Sequence, residues 1–129
     1  MTELSNPTGP GVTPAPVSAS LEAVPKPLED AMRRRGFDDL TLVQRAVLAA
    51  ESDGRDLRIS SQTGSGKTVA IGLGLADHLL ERLSGPPHPQ PGPSVLILVP
   101  TRELAMQVRE EFQWLFAGVR GLRTEVVMG

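Results

Sequence analysis

The chain of 129 residues contains no cysteine. Disulfides, thiolate zinc sites and cysteine nucleophiles are therefore excluded, and the absence suits a reducing compartment. Long apolar runs are also missing, since none approaches the roughly 20 residues that a bilayer-spanning helix needs. The N-terminus lacks a basic flank followed by an apolar stretch, so no secretory signal is expected and the cytoplasm is the expected compartment. Neither sign of charge dominates: 13 Lys and Arg against 15 Asp and Glu leave a net charge of −2. So even a balance gives no global field for nucleic acid, and any such binding has to rest on a local patch. Aromatic residues make up only 3% of the chain, with Trp114 its lone tryptophan. Trp114 falls off the apolar stripe of its expected helix, in a stretch with no base-stacking context. The 40% of apolar residues suffices for one domain with a modest core.

What the chain does have is a phosphate-binding string. Ser61-Gln62-Thr63-Gly64-Ser65-Gly66-Lys67-Thr68 follows an apolar stretch, Leu57-Arg58-Ile59, and opens onto a helical pattern running from Val69 towards Leu83. Strand, loop and helix in that order are the setting of a P-loop. Gly64 and Gly66 lack a Cβ, so the backbone can bend sharply and present successive N–H groups to phosphate oxygens. The helix N-terminus adds its partial positive charge. Lys67 is placed for the β and γ phosphates and the Thr68 hydroxyl for Mg²⁺. A glycine-rich turn without the Lys-Thr pair would be only a turn. Ser61 stands where the motif usually opens with glycine, and a small residue still fits there.

The rest of the chain frames this loop. Residues 1–20, rich in Pro, Ser, Thr and Gly, bury too little to offset the entropy of ordering and are expected to be a disordered tail. Residues 21–129 are expected to form the folded part. Helices are expected from Pro25 to Arg35, stopped by Gly36, and from Leu42 to Glu51, followed by an Asp53-Gly54 turn into a strand at about 56–60. Arg33, Arg34 and Arg35 are better read as a helix end complementing the macrodipole than as a nucleic-acid patch. The prolines of 86–93 forbid regular structure. Residues 95–99, Val-Leu-Ile-Leu-Val, read as a strand covered on both faces, and 124–128 as the start of another. Between them a helix is expected from about Arg102 to Ala117, with Leu104, Val108, Phe112 and Leu115 as its core stripe. The alternation predicts a parallel α/β sheet flanked by helices, with the loop and Pro100-Thr101-Arg102 at its carboxyl edge.

Upstream of the loop stands Gly36-Phe37-Asp38-Asp39-Leu40-Thr41-Leu42-Val43-Gln44, and downstream Pro100-Thr101-Arg102-Glu103-Leu104-Ala105. With the phosphate string between them, these resemble the Q motif, Walker A and PTREL elements of the DEAD-box RNA helicases, in order and approximate spacing. The resemblance covers about residues 20–129 and implies a partial RecA-like P-loop domain. It implies that Gln44 reads the adenine edge, pairing with N6 and N7 through its amide. It further implies ATP and Mg²⁺ at residues 61–68, with Lys67 and Thr68 in the catalytic apparatus. Pro100, Thr101, Arg102 and Glu103 then belong to a sequence-independent RNA track. No aromatic stands at 18–21, where the family often stacks one near adenine. No Asp-Glu-Ala-Asp or Ser-Ala-Thr string follows. The chain is accordingly expected to be the amino-terminal part of the first domain of an ATP-dependent RNA helicase, inactive alone, and not membrane-bound. A non-catalytic nucleotide-binding module and a P-loop NTPase of another class stand as alternatives.

Overall fold

The computed structural model describes residues 2–5, 19–50, 54–64, 66–87 and 89–129. In chain order these form β1 (Thr2–Ser5), a 3₁₀ turn at Leu21–Ala23, α1 (Lys26–Arg34), α2 (Leu42–Ala49), β2 (Leu57–Ser60), α3 (Lys67–Ser84) and α4 (Arg102–Leu115).

Each helix begins and ends for a local reason. Pro25 caps α1 and Pro27 sits in its first turn, where a missing N–H costs nothing. Gly36 terminates it at a φ of +88°, a backbone that favours glycine, and the Phe37 N–H then donates to the Met32 carbonyl at 3.1 Å. Arg33 is paired with Glu29 at 2.9 Å and Glu22 at 3.3 Å, in line with its reading as a helix-end residue. Thr41 starts α2 through a capping box. Its hydroxyl accepts from the Gln44 N–H, while the Gln44 side chain accepts from the Thr41 N–H. α2 ends at Ala49, two residues short of the expected Glu51, because Ala50 is already extended as its C-cap (φ −73°, ψ 125°). Glu51 itself lies outside the described residues. Gly54, at φ +68°, turns the chain towards β2.

Helices α1, α3 and α4 share the main core, while α2 packs Val43 and Val47 against Ala70 of α3 in a second cluster. Leu28 and Met32 of α1, Val69, Leu73 and Ala76 of α3, and Phe112 and Leu115 of α4 are all buried together. Leu104 and Val108, the first half of the expected α4 stripe, are only half-buried. α4 lies close against α3 at Gly72, where an added Cβ would come within 2.6 Å of Leu115 Cδ2 and 2.8 Å of Phe112 Cε1. Gly72→Ala should therefore overpack this contact and cost about 1–3 kcal/mol, read as a lower urea midpoint at unchanged m-value. An unchanged midpoint would show that the two helices separate freely.

The sheet departs from expectation. Two strands pair among the described residues, and their ladder is parallel, with Thr2 opposite Leu57 and Ser5 opposite Ser60. Thr2–Ser5, at the start of the expected tail, takes up the edge of β2, which offers backbone groups that a short extended segment can satisfy. Residues 6–18 of that tail lie outside the described residues. Stretches 95–99 and 124–128, expected as sheet strands, join no ladder among the described residues. They nevertheless keep the two-residue alternation of strands. Val95 and Val99 are half-buried while Leu96 and Leu98 are 79% and 85% exposed, and Val127 is 98% exposed. Val95 packs against the helical core, but a strand also needs a neighbour to bond, and no described segment supplies one. The expected burial on both faces is thus corrected to one covered face.

Candidate nucleotide site

β2 ends at Ser60 and delivers the chain directly into the loop that precedes α3. Two glycines shape that loop, Gly64 at φ +82° and Gly66 at φ +84°. Gly66 is the left-handed N-cap of α3, and its carbonyl accepts from the Ala70 N–H at 2.9 Å, beginning the helical ladder. The N–H groups of the first turn, starting at Lys67, have no intrahelical acceptor and form the positive end of the helix dipole. Gln62, Thr63 and Gly64 are exposed, whereas Ser61, Lys67 and Thr68 are half-buried. Ser65 lies outside the described residues. Lys67 has no ion-pair partner among the described residues. It lines a cleft of about 540 Å³ together with Arg55, Asp56, Val47, Ile59 and Ile71. Two left-handed glycines before a helix start, with a lysine and a threonine in its first turn, fit an anionic phosphate chain with its cation.

Gln44 reaches this loop from α2 and is wholly buried. Its Oε1 accepts from the Thr41 N–H at 3.0 Å, and its Nε2 donates to the Gly66 carbonyl at 3.3 Å. The residue that caps one helix thus also holds the N-cap of the next. A Cβ at Gly66 would lie 2.4 Å from that Nε2, so glycine is required there by contact as well as by φ. With both bonds in place the amide keeps one N–H and one lone pair, and adenine could meet them only once the side chain is uncovered.

The turn before Thr41 is fastened by Asp39. Its carboxylate accepts from the Leu40 N–H at 2.8 Å and pairs with Arg45. The Leu40 N–H, and after it the Arg45 guanidinium, hold the Asp39 carboxyl below its ordinary range.

Pro100, Thr101, Arg102 and Glu103 are exposed at the head of α4, a different element from the loop. The Thr101 hydroxyl accepts from the Leu104 N–H at 3.1 Å as a helix cap. Arg102 donates to the Gly129 carbonyl. The structure therefore brings Gln44 and the phosphate loop into contact and keeps residues 100–103 as a separate surface. Among the described residues 95–99 join no ladder, so the two sets share no sheet edge there. Sequence reasoning missed one further group beside the site, Trp114 against Phe37 and Arg35. The contact joins segments far apart in the chain and leaves no signal in spacing.

The DEAD/DEAH box helicase family model matches residues 41–129. The chain belongs to that family. Membership carries a RecA-like α/β fold with it, of which helices α1–α4 and the strand β2 before the glycine loop are seen here. Among its relatives are the ATP-dependent RNA helicase RhlB of Haemophilus influenzae (strain PittGG), 39% identical over 99 residues, which cover 77% of this chain and 23% of that protein. The ATP-dependent RNA helicase SrmB of Escherichia coli (strain K12) is 44% identical over 86 residues, 64% of this chain and 18% of SrmB. The chloroplastic DEAD-box ATP-dependent RNA helicase 3B of Zea mays is 41% identical over 91 residues, 70% of this chain and 12% of that protein. The chain thus spans less than a quarter of the length of these three proteins. Among the described residues, no helix is long and apolar enough to cross a membrane.

Proposed function

We propose that this chain carries the adenine-nucleotide site, and part of the RNA-contacting surface, of an ATP-dependent RNA helicase of the cytoplasm. The observation that supports it best is the bond from Gln44 to Gly66, which ties the Q-motif segment to the phosphate loop of a P-loop. In this reading Ser61, Gln62, Thr63, Gly64, Ser65 and Gly66 surround the phosphates with backbone N–H groups, and Lys67 reaches the β and γ oxygens. The Thr68 hydroxyl would hold Mg²⁺, which when bound neutralises phosphate charge. Gln44 selects adenine, its free N–H and lone pair matching N7 and N6, where guanine presents an acceptor at position 6 instead of a donor. Pro100, Thr101, Arg102 and Glu103 lie on a strand of RNA through its backbone, without reading bases.

Competition of MgATP and MgGTP against a fluorescent ATP analogue tests the nucleotide part. Gln44→Ala should weaken ATP and narrow its advantage over GTP by about 1–3 kcal/mol. An unchanged ATP/GTP ratio would remove Gln44 from base selection. For the RNA part, Arg102→Ala should lower the affinity for single-stranded RNA equally across sequences, with the salt slope shallower by about one phosphate contact. If affinity and slope stay at parental values, Arg102 serves α4 and the Gly129 carbonyl alone.

A further inference from the structure

Trp114 belongs to none of the strings that the nucleotide reading uses, and it is the chain's one tryptophan. Its indole stacks on the Phe37 ring, with centroids 5.8 Å apart and planes inclined by 15°. The Arg35 guanidinium carbon lies 5.0 Å from the same indole's centroid. Both partners belong to the short turn by which the chain leaves α1, where Gly36 reverses direction at φ +88°. Phe37 precedes Gln44 by seven positions (44 − 37 = 7), and the stretch between them is fastened from Asp39 onward. Asp39 holds Leu40 N–H and Arg45, Thr41 and Gln44 cap one another, and Gln44 donates to Gly66. From α4 the stack on Trp114 holds Phe37, two residues of backbone lead from Phe37 to Asp39, and from there side-chain contacts run to the N-cap of α3.

We propose that Trp114 is a positioning residue of the nucleotide site: it clamps Phe37 against α4 and so fixes the 36–41 turn that delivers the Gln44 amide. This rests on the reading of Gln44 as the selector of adenine. Stacked aromatic pairs fix ring orientation as well as burying area, which an aliphatic side chain of similar bulk does not reproduce. A loosened turn leaves the Gln44 amide free to rotate away from its bond to Gly66, and base selection suffers before phosphate binding does. α4, whose head bears Thr101 and Arg102, thereby supports the base-selecting end of the site as well.

The test compares Trp114→Leu, which keeps apolar bulk and removes the ring, with Trp114→Phe, which keeps a ring. Phe37→Leu removes the other half of the stack, and Gln44→Ala serves as reference. MgATP and MgGTP are competed against a fluorescent ATP analogue, with thermal unfolding followed in parallel. Trp114→Leu and Phe37→Leu should lower the ATP/GTP affinity ratio by about threefold to tenfold, the loss falling on ATP, while Trp114→Phe stays within about twofold of the parent. A merely structural role would weaken ATP and GTP alike and leave the ratio intact, which overturns the proposal. Should Trp114→Leu fail to fold, Phe37→Leu decides on the same terms. If Gln44→Ala moves the ratio and neither leucine variant does, the inference alone is lost. If Gln44→Ala leaves the ratio unchanged, the adenine reading is lost and the inference with it.

Discussion

Replacing Lys67 with alanine is expected to remove useful ATP binding while leaving the fold intact. Lys67 opens α3, has no ion-pair partner among the described residues, and is half-buried beside the loop. The fold therefore loses little, and alanine is the best helix former to put at that position. A phosphate chain loses far more. Each charge-assisted hydrogen bond from an ammonium is worth about 1.5–3 kcal/mol, and a lysine shared between β and γ oxygens makes two. One such contact alone corresponds to roughly 10- to 150-fold in affinity. Calorimetric titration with MgATP should show the loss, and the thermal midpoint should stay within a few degrees of the parent. ATP affinity within threefold of the parent would sink the P-loop assignment.

The glycine loop and the start of α3 are the part of the molecule most legible in sequence, because what shapes them is local. A P-loop is contiguous. Its glycines, lysine and threonine are fixed by local backbone geometry, and Gly64 and Gly66 duly adopt the left-handed conformations their lack of a Cβ permits. Helix bounds are legible for the same reason, because Pro25, Thr41, Gly36 and Thr101 act on the turns beside them. Thr41 capping α2 follows from its spacing to Gln44. Whatever depends on a distant partner is not legible. The apolar run at 95–99 shows strand alternation in its burial but no ladder, since its composition does not specify who pairs with it. Pairing of Thr2–Ser5 with β2 is likewise a relation between two remote segments, invisible in a tail of Pro, Ser and Thr. The partners of Trp114 are hidden for the same reason. Its helix periodicity says which way it faces, not that the turn after α1 passes beneath it.

Gln44 lies between these cases. Its capping role is local and its place beside a P-loop follows from family resemblance, yet its burial and its bond to Gly66 are tertiary. The donor it spends on Gly66 makes it a structural member of the phosphate loop, not only a candidate reader of the base. Loss of Gln44 should therefore act on the loop as well as on selectivity. The same contact sets the outcome at its other end.

Gly66→Ala should destabilise the chain and impair nucleotide binding together. Two independent costs meet at this residue. The left-handed backbone at φ +84° costs an alanine about 1–2 kcal/mol. The new Cβ would also stand 2.4 Å from Gln44 Nε2, nearer than any real contact, so the amide must move. Because Gln44 is wholly buried, moving it breaks its bond to the Gly66 carbonyl and leaves a buried donor unsatisfied, at about 1–3 kcal/mol more. The sum, about 2–5 kcal/mol, is a large part of the 5–15 kcal/mol that keeps a typical domain folded. Urea unfolding should register it, and MgATP affinity should fall because the loop's first helical N–H groups are displaced. A double-mutant cycle separates the two costs. With Gln44→Ala already in place the clash is gone, so adding Gly66→Ala should cost only the backbone share. The two substitutions should accordingly be less damaging together than their separate costs predict. Strict additivity would mean that Gln44 and Gly66 do not touch in solution, and would detach the Q-motif segment from the phosphate loop.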